Sequence, residues 1–361
     1  MTPRDRYVAI LQFEPFDQPF VRAIGGWPET GERWRAEGWD GGALETIFGT
    51  DTVLGTGVYY GPVPGFAYEV LHEDEQTRTY VNHEGIIMRE FKAHHGHSSM
   101  PKFIRFPVES ADEFGRFAAD RLQPRFEERV PGNWADLVAH LPARTDPLVN
   151  FADRWGGFFG PLRNLMGLEG LCLAFYDDPQ LIGRMMDQRV EAIVAITERV
   201  LAEVEIDMFA FWEDMAFNHG PLLSPRHFDE FMVPRYAEVC AWLRSKGVEL
   251  IGLDSDGDIT ELIPLWLKAG INVLWPFERA AGMDVLEVRR QYGRDLALIG
   301  GIDKRVVARG GEVMRQEVDR VLPLVEEGGY IPELDHSAPP DISWPNMCEY
   351  MEYLLGRLGR G

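Results

Sequence analysis

From about residue 146 onward, short apolar stretches alternate with long amphipathic ones, and this alternation constrains the fold more than any other feature of the chain. Strands are expected at Leu148–Phe151, Met208–Trp212, Glu249–Leu253, Ile271–Trp275, Leu296–Ile299 and Tyr330–Pro332. Helices are expected at Pro179–Val204, Pro225–Lys246, Ile259–Ala269, Val285–Tyr292, Glu312–Glu327 and Trp344–Arg357. Proline at the first helical position, after Asp178 and after Ser224, marks two of the helix starts. A strand returns parallel to its neighbour only through a crossover of a dozen residues or so, and helices of this kind supply it. The pattern therefore predicts an α/β protein with a parallel sheet. With Phe20–Ile24 as an early strand and one more in the N-terminal zone, the count reaches a distorted (β/α)8 TIM-type barrel.

Residues 1–145 read differently. They are rich in Gly, Pro, Trp and His, and three short runs, Glu69–Leu71, Thr77–Val81 and Ile86–Phe91, alternate around turns at His72–Gln76 and Asn82–Gly85. This is an irregular, antiparallel excursion from the barrel. The run His94-His95-Gly96-His97 invites a metal reading, but Gly, Ser and Pro flank it and no carboxylate or thiol stands at ligand spacing, so a solvated loop is expected. Parallel barrels reach about 250 residues or more as one unit, so residues 1–361 are expected to form one domain.

The balance of 58 acidic against 36 basic residues, a net charge of −22, repels phosphate backbones and anionic lipids. Nucleic acid and membrane partners are not expected; a small molecule is. The three cysteines, Cys172, Cys240 and Cys348, form no CxxC pair, which argues against a disulfide scaffold or a zinc ribbon. Residues 1–20 lack the apolar core of a signal peptide, and a cytoplasmic protein is expected.

Barrel enzymes place their chemistry where strands end. In turn, the strand ends carry Asp153-Arg154, Glu213-Asp214, the triplet Asp254, Asp256 and Asp258, Glu278-Arg279, Asp303-Lys304-Arg305, and Asp335-His336. Acids also cap helices, and Asp258 is expected to cap the helix at Ile259. In IGLDSDGD (Ile251–Asp258), strand alternation points Asp254 and Asp256 the same way. Such a pair either binds a metal or shares a proton and supplies a carboxylic acid; a plain Asp-Gly turn is the structural alternative. His336 sits between Asp335 and a Pro-rich turn that fixes its loop.

Six segments, taken in order and spacing, resemble the uroporphyrinogen decarboxylase superfamily: Gly167 with FYDDP (Phe175–Pro179), FWEDMA (Phe211–Ala216), HGPLLSPRHFDEFMVPRY (His219–Tyr236), AGINVLWPFE (Ala269–Glu278), LIGGIDKR (Leu298–Arg305) and GGYIPELDHSAPPDIS (Gly328–Ser343). The resemblance implies a distorted barrel, a cleft at the strand ends, and a homodimer. It also implies one of two chemistries. Cofactor-free decarboxylases of the superfamily bind a polycarboxylate tetrapyrrole through an arginine motif, RQAGRY. Here the corresponding place reads AIGGWPETGERWRAEG (Ala23–Gly38), with Arg33 and Arg35 but not the motif. Corrinoid-linked methyltransferases hold zinc on an HxC pair and a later Cys. Those positions fall on Asp254, Asp256 and His336.

The leading expectation is methyl transfer from a small methylated molecule, such as an aromatic methyl ether, to a corrinoid on a partner protein. Asp254, Asp256 and His336 would hold zinc or another divalent ion, or donate a proton, with Glu213 and Asp214 beside them. Trp27, Arg33, Trp34, Asp153, Arg154, Trp155, Phe158, Phe159, Glu278 and Arg279 would line the substrate. Gly57–Gly65 and His94–Pro101 would form the surface on which the partner docks. The alternatives are a cofactor-free decarboxylase, with Arg154, Arg163 or Arg279 holding substrate carboxylates, and a non-catalytic ligand-binding barrel.

Overall fold

The computed structural model describes residues 1–92 and 101–360. Thirteen strands are found among them: β1 Leu54–Gly55, β2 Glu69–Glu73, β3 Thr77–Val81, β4 Ile87–Phe91, β5 Lys102–Arg105, β6 Leu148–Phe151, β7 Met208–Trp212, β8 Ala216–Phe217, β9 Gly220–Pro221, β10 Leu250–Asp254, β11 Val273–Trp275, β12 Ala297–Ile299 and β13 Tyr330–Ile331. Seven of them form one parallel sheet in the order β1-β6-β7-β10-β11-β12-β13, curled with its helices into a TIM-barrel-like α/β fold. The expected strand at Phe20–Ile24 is not a strand. Its stretch is extended and runs between the lead-in to β1 and the segment after β13, bridging Gly26 to Ala338. The Val21 amide goes to the Asp51 carboxylate instead of a ladder carbonyl, so no continuous pairing closes the sheet.

Alternation along the strands sorts side chains into two cores. Phe209, Phe211, Ile251, Leu253 and Leu274 face outward, under the helices. Val149, Met208, Ala210, Leu250, Val273, Ala297 and Ile299 face inward, where the N-terminal helix Pro3–Leu11 adds Tyr7, Ile10 and Leu11. That helix starts at a capping box between Thr2 and Asp5, with Pro3 at its first position. Helix Pro179–Glu203 shows how the outer layer is held. Asp178 caps it by accepting from the Leu181 amide, and Ile182, Met185, Met186, Val190, Ile193 and Ile196 recur every three or four residues on the buried face. Burying one such side chain contributes about 1.5–3 kcal/mol, so a charge at Ile193 would weaken the helix's hold on the sheet by at least that much.

Two local expectations are corrected. The helix expected from Ile259 begins at Ile263, with Pro264 at its second position. Asp258 is accordingly not its cap; it closes a turn, accepting from the Thr260 amide at 3.1 Å and hydroxyl at 2.6 Å. The antiparallel excursion is present, and larger than expected: β2 to β5 form a four-stranded sheet. The His94–His97 run lies outside the described residues.

Candidate active site

Asp254 is the last residue of β10 and pairs in register with Trp212 on β7 and with Trp275 on β11. All three line a cavity of about 240 Å³ at the strand ends, together with Arg22, Asp256, Glu333 and His336. Gly257 makes the turn beyond Asp256 with φ +85°, where a Cβ would lie 2.7 Å from the Ala216 backbone. Both sequence alternatives therefore hold: the two aspartates reach one cavity, and an Asp-Gly turn follows them.

The two carboxylates are not equivalent. Burial, reinforced by the neighbouring charge of Asp256, pushes the Asp254 carboxyl up to about 8, against opposing pulls from His336 and Trp275. At neutral pH it is a carboxylic acid and can donate a proton. Asp256 instead meets His336, whose Nε2 stands 3.3 Å from its Oδ2. This hydrogen bond raises the histidine above its ordinary value, with burial pulling the other way. The Nδ1 of His336 is buried with no hydrogen-bond partner among the described residues. Trp27 packs edge-on against its ring at 6.2 Å.

Several expected site residues are placed elsewhere. Glu213 is fully buried, and its carboxylate accepts from the amides of Phe158, Phe159 and Gly160 at 2.6–2.9 Å and from the Tyr236 hydroxyl. It fixes the start of helix Phe159–Met166 and has no free oxygen for substrate. Trp34, Trp155, Phe158 and Phe159 belong to the outer core, not to a substrate wall. The Trp155 indole donates to Glu84 and that of Trp34 to the Ile342 carbonyl. Arg33 ties Glu37 to the Pro340 carbonyl. Arg279 is held by Asp284 and the Met283 carbonyl, and its amide joins that of Lys304 on the buried Asp335.

Asp214, at φ +47°, pairs with Arg163 at 3.2 Å, and its charge is felt by Asp254. Glu278 binds Lys304 at 2.9 Å and the Gly257 amide at 3.1 Å, holding the turn beside Asp256. Asp153, pushed up to about 6 by burial, sits with Glu84 and Arg189 under the excursion, and Arg154 reaches over Trp212. Asp303 caps its own helix and clamps Arg305.

Arg22 and Glu333 were not singled out from the sequence. Arg22 supplies the cavity with a guanidinium and lies immediately before the Ala23–Gly38 segment that stands where the arginine motif would be. Glu333 stands two residues beyond Ile331 of β13, so strand alternation could have pointed it inward. It is buried, burial raises its carboxyl, and its Oε1 lies 3.5 Å from the Arg22 guanidinium.

A divalent ion needs three or four converging donors. Among the described residues no three carboxylate, imidazole or thiol groups form such a set. His336 is turned onto Asp256, and with Asp254 the three form no preassembled metal centre as they stand. What this arrangement can do is proton transfer: a neutral carboxyl, an imidazole raised above its ordinary value and a guanidinium share one mouth.

The model of the uroporphyrinogen decarboxylase (URO-D) family matches residues 133–354, well over half of the chain. The protein belongs to that family. The uroporphyrinogen decarboxylase of Pseudomonas putida (strain GB-1) is 25% identical over 181 residues, covering 46% of this chain and 46% of that protein. That of Pseudomonas savastanoi pv. phaseolicola is 26% identical over 187 residues, with 47% of each covered. The chain thus spans about half the length of the curated relatives it matches. A solved methyltransferase from Methanosarcina mazei, 14% identical, superposes over 99% of both chains with a TM-score of 0.58 and shares the fold. No helix among the described residues is long and apolar enough to cross a membrane.

Proposed function

We propose that this protein transfers a methyl group from the oxygen of a small methylated molecule, such as an aromatic methyl ether, to a corrinoid on a partner protein. The observation that carries the reading is the Asp254 carboxyl, held protonated up to about pH 8 at an open mouth. Breaking a carbon–oxygen bond leaves an alkoxide or phenoxide, which is a poor leaving group until it receives a proton. Asp254 donates that proton as the bond breaks and becomes a carboxylate. The His336–Asp256 pair beside it returns a proton from solvent. Arg22 holds an anionic group of the substrate. A Co(I) corrinoid would supply the nucleophile that takes the methyl group. No step is routed through a divalent ion.

A second reading, cofactor-free decarboxylation of a small carboxylate, is favoured by Arg22 in the same cavity. The acid would then protonate carbon after carbon dioxide leaves. A uroporphyrinogen is a poor candidate substrate: a cavity of about 240 Å³ is small for an octacarboxylate tetrapyrrole, and the paired arginine motif is missing. The test mixes the protein with a panel of methyl ethers and a Co(I) corrinoid protein shown to be competent with another methyltransferase. Loss of the Co(I) absorbance supports methyl transfer. Persistent Co(I), with carbon dioxide released from small aromatic carboxylates, replaces it with the second reading.

A further inference from the structure

A barrel of this kind normally fills its bore with layers of branched side chains. Here three inward positions below the mouth carry only Ala210, Gly252 and Ala297. Gly252 is required by its neighbour. A Cβ there would meet the Trp275 ring at 2.5 Å and the Met208 sulfur at 3.2 Å, so the indole lies across the strand. Below it is a second compartment of about 270 Å³, walled by Leu54, Val149, Phe151 and Met208, with Tyr7 of the N-terminal helix also lining it. Arg22, Asp254, Trp275 and Glu333 line both this compartment and the mouth cavity, so they form the neck between them. At that neck the buried Oε1 of Glu333 has no hydrogen-bond partner among the described residues and forms an ion pair with Arg22 at 3.5 Å. Arg22 is not held by a hydrogen bond to Glu333, so its guanidinium keeps donors free to face a ligand at the neck.

We propose that the bore is a substrate-binding chamber for a single aromatic ring, and that the substrate is a small aromatic carboxylate. The ring enters end-on past Trp275 into the apolar chamber. The carboxylate stays at the neck on Arg22, beside the Asp254 carboxyl. A chamber of this size holds one six-membered ring with a substituent, and its walls offer only contact, so ring recognition is apolar while position is set at the neck. This deepens the preceding reading, because it takes the mouth around Asp254 as the reacting centre.

The experiment measures benzoate binding to the full chain by isothermal titration calorimetry, with acetate as the ring-less control. Benzoate is expected to bind at least about tenfold tighter than acetate, the order expected from burying several ring carbons. Val149→Phe and Leu54→Phe fill the chamber from two different strands and are expected to remove that advantage. Arg22→Gln is expected to weaken benzoate by about ten- to a hundredfold, the usual loss of a charged hydrogen bond. Equal affinity for benzoate and acetate overturns the proposal, and this arm holds even if both filling variants fail to fold. Undiminished benzoate binding in a folded Val149→Phe or Leu54→Phe protein overturns it as well. Binding is read without turnover, so benzoate held in the chamber beside an inert Co(I) assay supports the chamber and removes only the methyl-transfer reading.

Discussion

Glu213 and Asp254 end adjacent strands, β7 and β10, and both are buried carboxyls at the same rim of the sheet. Glu213 meets four donors, three of them backbone amides at the start of a helix. Asp254 meets two indole-bearing neighbours, the charge of Asp256 and a cavity. Burial raises both, but the first carboxyl is committed to holding a loop and the second is left facing substrate space. An acid at a strand end therefore says little until its donors are counted. Where every lone pair is taken the group is structural, and where a carboxyl raised by burial also faces a cavity it can do acid chemistry.

The largest expected effect separates the two on activity. Asp254→Asn keeps shape but cannot donate an acidic proton, and it should lower kcat by about 10²–10⁴, the usual worth of a positioned general acid. Its stability should move the opposite way. Between the ordinary carboxyl value and about 8, the folded protein holds a proton on Asp254 that the unfolded chain has released, so this group lowers stability as pH rises through that window. Below the ordinary value both states are protonated, and the term vanishes. Melting temperatures of Asp254→Asn should therefore exceed those of the native protein by a margin that widens from pH 5 to pH 8. A variant that melts lower at every pH in this range would show Asp254 to be structural, like Glu213.

Glu213→Gln should do the reverse. One amide hydrogen of the glutamine would face backbone donors, leaving at least one buried N–H without an acceptor, at about 1–3 kcal/mol. Denaturant midpoints should fall accordingly. Any residual folded protein should turn over with the pH profile of the native enzyme.

That contrast also marks how far the sequence could be read. The alternation after residue 146 located all six of the expected strands to within two residues at either end, because strand and crossover helix differ in period and length. The convergence of Asp254, Asp256 and His336 on one cavity was legible from strand alternation and from order along the chain. The fate of Glu213 was not, since three of its four donors are amides of residues 158–160, more than fifty positions away. Trp155 and Phe158 failed for a related reason: an aromatic ring near a strand end reads the same whether it faces substrate or helices. Arg22 was hidden because it lies in the middle of the expected strand Phe20–Ile24, where only strand ends were read as chemistry. The bore was hidden because its walls come from apolar residues on separate strands and on the N-terminal helix, and each alone reads as ordinary core.

The pH profile of the native enzyme sharpens the comparison further. If Asp254 is the acid, kcat should be level near neutrality and fall as pH rises through about 8, because the proton needed by the leaving oxygen is then gone. In Asp254→Asn that alkaline limb should be absent from the residual rate. A limb unchanged by the substitution would assign the titration to another group.

The smallest effect expected is from Asp256→Asn, and it tests whether the mouth residues act as one electrostatic unit. Asp256 holds His336 above its ordinary value chiefly by their hydrogen bond, so the neutral amide should let the histidine fall, readable as an earlier deprotonation of its ring protons by NMR. A raised histidine adds stability that is fully present below its unfolded value and is lost as pH rises through the folded one. The stability gap between native protein and variant should therefore be widest at acidic pH and close above neutrality. The same substitution removes the second-largest cause of the rise at Asp254, while burial, the largest, stays. The alkaline limb should consequently slide below about 8 without returning to the ordinary carboxyl range. Both shifts must appear together. A histidine that falls while the limb stays fixed would mean that Asp256 serves His336 alone, and that burial by itself keeps Asp254 protonated.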